Sequence, residues 1–283
     1  MVISPLASQV QDLIGLNSPD TSNTPTDTIW RLLRDGTVLH QLLSKWVIRI
    51  TPTIVVKFAP SLDISEIQTM YYIWSYRKSI PMPEPLGAIS IGGYNYIFMS
   101  NLEGLALGSL WSRLEPDLKD SIRLQLGEIL QCLREMPLPS MYFGSGKPPR
   151  CRDLRRQIRI SLGLISNEAE FNKFLASTDR KLNPTYLGLC TSGLGTSHKT
   201  VMTHGDIRPD NILVQYITPD TLKISGLVDW ELSGAYPEYW EYVKSLAGVN
   251  CDSSDWFSYL PTDVIGSHSE EWRQDCLVSR VVL

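Results

Sequence analysis

Three oxygen-bearing side chains stand in two polar clusters of this 283-residue chain. Asp206 and Asn211 lie within VMTHGDIRPDNILV, residues 201–214, and Asp229 follows eighteen residues after Asn211 in ISGLVDWE, residues 224–231. Apolar, strand-like pieces flank both clusters. Val201–Thr203 leads in, Ile212–Val214 leads out, and Leu222–Val228 precedes Asp229. A carboxylate, an amide five residues on and a second carboxylate at the end of the next strand can converge on one spot. Phosphoryl transfer needs such a set, because positioning and charge neutralisation dominate that reaction. Asp206 has the chemistry of the base that accepts a hydroxyl proton. Asn211 and Asp229 have the oxygens that a hard Mg²⁺ ion prefers. Arg208, two residues beyond Asp206, can neutralise charge on a moving phosphoryl group.

The same residues have plainer uses. Asp206 and Asn211 are common turn residues, and Asp229 is a common helix cap. His204 reads as scaffolding for the loop rather than as a base. Glu231 is close to Asp229 in sequence, while Trp230 and Trp240 read as core aromatics.

The elements that must position these groups fall into two parts. Residues 16–27, LNSPDTSNTPTD, read as an exposed loop and precede a short helical stretch. Trp46–Ile50 and Ile54–Phe58 read as a hairpin around the turn Thr51-Pro52-Thr53. Residues 64–78 read as a helix, with Ile64, Ile67, Tyr71 and Trp74 on one face, ended by Pro81 and Pro83. Leu86–Ile89 and Tyr94–Met99 are further strands. Beyond Asn101–Gly104 the pattern turns helical. In residues 117–136, Leu118, Ile122, Leu126, Ile129 and Leu133 form one buried stripe. The expected fold class is α+β, with a strand-rich part over 1–100 and a helix-rich part over 101–283. The arginine-rich stretch Arg150, Arg152, Arg155, Arg156, Arg159 reads as a solvated helical face, with an anion contact as the functional alternative.

The segment HGD-I-R-P-D-N resembles the catalytic loop of the aminoglycoside phosphotransferase-like kinases, and V-D-W-E resembles their metal-binding motif. Val56-Lys57-Phe58 resembles the strand lysine of that family. Glu66, nine residues on, resembles its ion-pair partner. Ser79–Pro83, Phe98–Gly104 and Glu168–Leu175 extend the likeness, and Ser233–Glu241 resembles the fungal branch. The resemblance covers roughly residues 45–260. It implies a bilobal protein-kinase-like fold with ATP between the lobes. It also implies Lys57 on the phosphates, Glu66 holding that lysine, and the backbone of Ser100, Asn101 and Leu102 against the adenine. Asp206 is then the base, with Arg208 beside it and Asn211 and Asp229 on Mg²⁺.

One feature departs from that pattern. A phosphate-cradling loop normally uses glycine, so that backbone N–H groups approach the anion. WVIRITPTIVVK, residues 46–57, contains none. A ligand-binding pseudokinase, or a different reaction on the same scaffold, therefore stands beside a small-molecule kinase. A protein kinase fits poorly, because Tyr236–Tyr242 follows Asp229 too closely for a long activation loop.

Composition narrows the partners. The 26 Lys+Arg against 30 Asp+Glu leave a net charge of −4, which removes the main electrostatic reason to expect nucleic acid. No apolar run approaches the ~20 residues of a membrane span. The first residues lack the basic start of a secretory signal. Five dispersed cysteines suit reduced thiols in the cytoplasm. The acidic Glu238, Glu241 and Asp255 read as solubilising surface groups or as attractors for a cationic substrate. The acceptor itself and the oligomeric state are not legible.

Overall fold

The computed structural model describes residues 1–17, 24–60, 62–154, 158–178, 180–247 and 254–282. Its first part runs β1 (Val2–Ser4), α1 (Ser8–Leu13), α2 (Pro25–Asp35), β2 (Thr37–Leu42), β3 (Lys45–Arg49), β4 (Ile54–Pro60), α3 (Ser65–Tyr76), β5 (Pro85–Ile91) and β6 (Tyr94–Ser100). The six strands form one antiparallel sheet in the order β1-β5-β6-β4-β3-β2. Residues Ile54 to Ala59 of β4 are all buried, since both faces of the sheet are covered. Strand alternation sorts them. Ile54, Val56 and Phe58 pack with Val10, Ile14, Ile29 and Leu33 of α1 and α2. Val55 and Ala59 pack with Ile67, Met70 and Ile73 of α3. Lys57 lies between Val55 and Ala59 and so shares the α3 face.

The second part runs β7 (Leu105–Ala106), α4 (Pro116–Arg134), β8 (Arg152–Leu154), β9 (Ile158–Ile160), α5 (Glu168–Ala176), α6 (Pro184–Thr191), β10 (Thr200–Thr203), β11 (Ile212–Thr218), β12 (Thr221–Leu227), β13 (Gly234–Pro237), α7 (Trp240–Ser245), α8 (Thr262–Ile265) and α9 (Ser269–Val282). α4 carries the expected stripe, with Ile122, Leu126 and Leu133 fully buried. One apolar cluster passes from Ile67 and Ile97 through Leu107 and Ile122 to Leu227 and Trp256, so the sheet and the helical part share a core. β11 and β12 form a hairpin, and β10 pairs with β13. These two pairs frame the polar clusters of residues 204–211 and 228–231.

Three local expectations are corrected. The loop read over residues 16–27 ends sooner, because Thr24 caps α2: its hydroxyl accepts the Asp27 N–H at 3.2 Å, and the Asp27 carboxylate accepts the Thr24 N–H at 3.3 Å. Residues 18–23 lie outside the described residues. β2 went unread because it is an edge strand exposed along its whole length, with no buried face to impose a period.

The arginine-rich stretch is a hairpin and not a helix, pairing Arg152 with Ile160 and Asp153 with Arg159. Its described arginines are engaged. Arg159 donates to the carbonyls of Phe174 and Ser177 at the end of α5. Arg152 is buried and donates to Asp63 through Nε at 2.9 Å and again through Nη2. Arg155 and Arg156 lie outside the described residues. Asp63 in turn accepts the Ser65 N–H at 2.9 Å at the start of α3. Burial alone would raise the Asp63 carboxyl; Arg152 and the Ser65 N–H outweigh it and lower it.

Arg152 thus ties the second part of the chain to the helix that carries Glu66. Arg152→Ala is expected to cost about 2–3 kcal/mol in urea unfolding, because a buried, multiply bonded charge pair is broken. A loss below about 0.5 kcal/mol, the usual figure for an exposed site, would show the contact to be idle.

Candidate active site

Lys57 is the centre of the site. Its ammonium lies 2.8 Å from Glu66 of α3, 2.6 Å from Asp229 and 3.2 Å from Glu231. Lys45, at the start of β3, pairs with the same oxygen of Glu231. Two ammonium groups therefore face three carboxylates. Burial alone would lower the pKa of Lys57, but Asp229, Glu66 and Glu231 hold it well above the ordinary value. Burial would likewise raise Asp229, yet Lys57 keeps it down at about 2. Glu66 is pushed by burial up to about 7 against the pull of Lys57. Asp229 sits at φ 66, ψ 63, a left-handed conformation that is costly for a residue with a side chain. It lies two residues beyond β12 and starts the short helical turn Trp230–Leu232.

The second polar cluster lies beside this one. Asn211 Nδ2 donates to the Asp206 carboxylate at 2.7 Å and to the Asp206 carbonyl at 3.0 Å. The Asn211 carbonyl accepts the Val228 N–H at 3.0 Å, joining the loop to the residue before Asp229. Arg208 Nε is 3.4 Å from Asp206 Oδ2. Burial raises the pKa of Asp206 most, the charges of Asp229 and Glu231 add to this, and Arg208 opposes it. A carboxylate pushed upward in this way is a better proton acceptor. Asp206, Asn211, Asp229, Lys57 and Glu66 are therefore brought together.

The loop is pinned from beneath. The buried ring of His204 donates from Nε2 to the Val228 carbonyl at 3.1 Å and accepts the Asp206 N–H on Nδ1 at 3.3 Å. Accepting on Nδ1 requires a neutral imidazole, and burial lowers its pKa to about 4. Glu241 of α7 accepts the N–H groups of His204 at 2.6 Å and Gly205 at 2.9 Å. Glu241 is 1% exposed, so it anchors the loop and is not a solubilising group. Asp255 is likewise engaged, by Lys119 at 2.8 Å and the Trp111 indole at 2.7 Å. Gly205 has φ +79, and a Cβ there would stand 2.6 Å from the Leu232 carbonyl oxygen, so no larger residue fits. Trp230 and Trp240 are core aromatics, as read.

The residues read as a hinge follow one another from the end of β6 toward β7. Ser100 ends β6, where its hydroxyl accepts the Glu84 N–H at 2.8 Å. Asn101 donates to the carbonyls of Thr53 at 2.8 Å and Pro52 at 3.1 Å. Leu102 packs on Gly226 of β12. The turn Thr51–Thr53 is thus held at the Asn101 end of the cleft and does not overhang the carboxylates. The turn near them is Leu43-Ser44, between β2 and Lys45. It too lacks glycine, and Leu43 adopts φ 51. Lys45 and Glu241 are site residues that the sequence reading missed. No motif marks Lys45, whose partner lies 186 positions away.

A family model described as the phosphotransferase enzyme family matches residues 41–271. The chain belongs to that family. No curated protein matches it. Among solved structures, the GDP and kanamycin complex of APH(2")-IIia is 17% identical, with a TM-score of 0.60 over 96% of this chain and 88% of that one. A complex of the aminoglycoside phosphotransferase APH(4)-Ia with ADP and hygromycin B is 13% identical, TM-score 0.60, covering 87% and 83%. The streptomycin–ATP–APH(2")-IIa complex is 12% identical, TM-score 0.58, covering 90% and 87%. The fold of this phosphotransferase is accordingly the bilobal, kinase-like one. Among the described residues no helix is long and apolar enough to cross a membrane.

The donor set suits a hard cation. The ligand oxygens of Glu66, Asp229 and Glu231 lie within 4.8 Å of one another, and Asn211, whose amide nitrogen is bonded to Asp206, carries one further oxygen. All are oxygen donors, as Mg²⁺ prefers.

His204 makes the acid sensitivity of the loop predictable. Its folded pKa, about 4, lies below the ordinary 6.5, so the folded state resists protonation. The stabilising contribution is complete above about pH 6.5 and disappears as the pH falls toward 4. By linkage it amounts to about 3 kcal/mol. Chemical unfolding at a series of pH values should show this loss in the wild type and not in His204→Asn. Parallel pH curves for the two would contradict a neutral buried ring.

Proposed function

We propose that this phosphotransferase moves the γ-phosphoryl group of ATP to a hydroxyl of a small molecule, with Mg²⁺ as cofactor. The observation that carries the reading is the meeting of Asp206, Asn211 and Asp229 opposite the buried Lys57. The acceptor hydroxyl sits against the Asp206 carboxylate, which takes its proton as the oxygen attacks phosphorus. Arg208 lies beside Asp206 and offsets charge on the moving group. Lys57 holds the nucleotide phosphates, and Glu66 keeps its ammonium in place. Asn211 and Asp229 hold Mg²⁺, which when bound neutralises phosphate charge. Adenine lies along Ser100–Leu102, between lobes formed by residues 1–100 and 101–283. The setting is the cytoplasm, and the Ser233–Glu241 segment favours the fungal branch. The similar structures were solved with aminoglycosides, which supports a polyhydroxylated or amine-bearing acceptor.

A second reading rests on a specific observation. Lys57 already has three carboxylate partners, Lys45 closes on Glu231, and the nearest turn has no glycine. A nucleotide must displace Asp229 or Glu231 from Lys57, so weak ATP binding and a ligand-holding role form the alternative.

Asp206→Asn separates the two. On incubation of the protein with γ-labelled ATP, Mg²⁺ and a metabolite extract, the substitution should lower label transfer by at least 10²-fold. Mg·ATP binding by calorimetry should change by less than threefold. Transfer retained in Asp206→Asn would remove Asp206 as the base. No heat of ATP binding and no ATP loss in the wild type would favour the ligand-holding module.

A further inference from the structure

Away from Lys57, two histidines and a glutamate from distant segments meet on the other side of α7. His198 precedes β10, His268 lies immediately before α9, and Glu271 is in the first turn of α9. Their ligating atoms lie within 4.8 Å of one another. His198 Nε2 is 3.3 Å from one oxygen of Glu271, and His268 Nδ1 is 3.6 Å from the other. A tetrahedral zinc ion with arms of about 2.0–2.1 Å sets its ligands about 3.3 Å apart. The observed spacing is that of a ligand set.

The supporting contacts point the same way. Glu168, the buried first residue of α5, accepts the backbone N–H of His198 at 2.9 Å and its Nδ1–H at 2.7 Å. That bond places a ring proton on Nδ1 and leaves Nε2 as the nitrogen that faces the Glu271 carboxylate at 3.3 Å. A carboxylate holding the far nitrogen of a histidine is also how metal-bound imidazoles are oriented. The Nε2 edge of His268 lies close over Gly266, where a Cβ would stand 2.4 Å from it. Its Nδ1 is left toward Glu271. Tyr239 packs edge-on against His198 at 4.8 Å and His268 at 6.3 Å. The three side chains are 18%, 19% and 24% exposed, so an ion can enter while much of the set stays dry.

We propose that His198, His268 and Glu271 bind one divalent transition-metal ion of the zinc class, oriented by Glu168, and that this ion clips α9 to the strand leading into the catalytic loop. Imidazole nitrogens select for such ions over Mg²⁺. The set shares no residue with the carboxylate cluster around Lys57, so the clip is a second site.

The test is titration of the metal-stripped full chain with Zn²⁺ against a chromophoric chelator, with thermal unfolding alongside. The wild type should take up one equivalent and gain several degrees of Tm. His198→Gln, His268→Gln and Glu271→Gln should each weaken uptake at least tenfold and abolish the Tm gain. Glu168→Gln, which leaves one acceptor oxygen where His198 uses two, should weaken it about 10–100-fold. Co²⁺ in place of Zn²⁺ should give the visible absorption of a four-coordinate site in the wild type and not in His268→Gln. His268→Gln loses no hydrogen bond to the body of the protein, so it keeps the test valid if His198→Gln folds poorly. Uptake that is absent in the wild type, or unchanged across these variants, overturns the proposal.

Discussion

An ammonium group taken out of water is the constraint on which the rest of this structure depends. Lys57 is 4% exposed, on the central strand of a sheet covered on both faces. Removing such a charge from water costs several kcal/mol unless it is paired and hydrogen-bonded. The partners come from three places: the first turn of α3, the end of β12 and the helical turn after it. Satisfying Lys57 therefore fixes the rotation of α3 about its axis, the face of β4 that meets it, and the approach of β12 to the sheet. The apolar core that runs from Ile67 to Leu227 agrees with that placement, so packing and charge pairing select the same arrangement.

A second buried polar network sets the shape of the loop bearing Asp206. Glu241 collects two backbone N–H groups that have no strand or helix to serve them, and His204 links the loop to β12 through Val228. Gly205 permits the turn between them. The cost of orphaning any of these groups makes the loop rigid. Rigidity here has a functional consequence. Asp206 and Asn211 hold each other at 2.7 Å, so the carboxylate and the amide are fixed relative to each other. The strained backbone of Asp229 belongs to the same economy, because its left-handed turn occurs where two chain segments and one ammonium over-determine its position.

The acidic and basic residues outside these networks show how far tertiary context reassigns a charge. Arg152 and Arg159 serve as struts, one holding Asp63 under α3 and the other capping the end of α5. In the helical periodicity attributed to them, both were solvated. In the hairpin register, Arg152 faces inward and Arg159 lies opposite buried Asp153. A period of two and a period of 3.6 cannot be told apart over so few residues.

The amino-acid sequence by itself determined the chemistry on offer: a carboxylate, an amide and a second carboxylate at spacings that a strand–turn–strand unit closes into one cleft, and a lysine nine residues before a helical glutamate. It also determined the helices and inner strands whose apolar periods are strong, such as α4 and β4, because burial writes itself into those positions. Only the tertiary structure decided which charges meet across long separations. Lys45 reaches Glu231 across 186 positions, Glu241 supports a loop 36 residues before it, and His198 meets Glu271 from another segment. The reason is physical. Local spacing is carried by the chain itself, whereas the partner of a buried charge is chosen by whichever elements the packed core brings within reach.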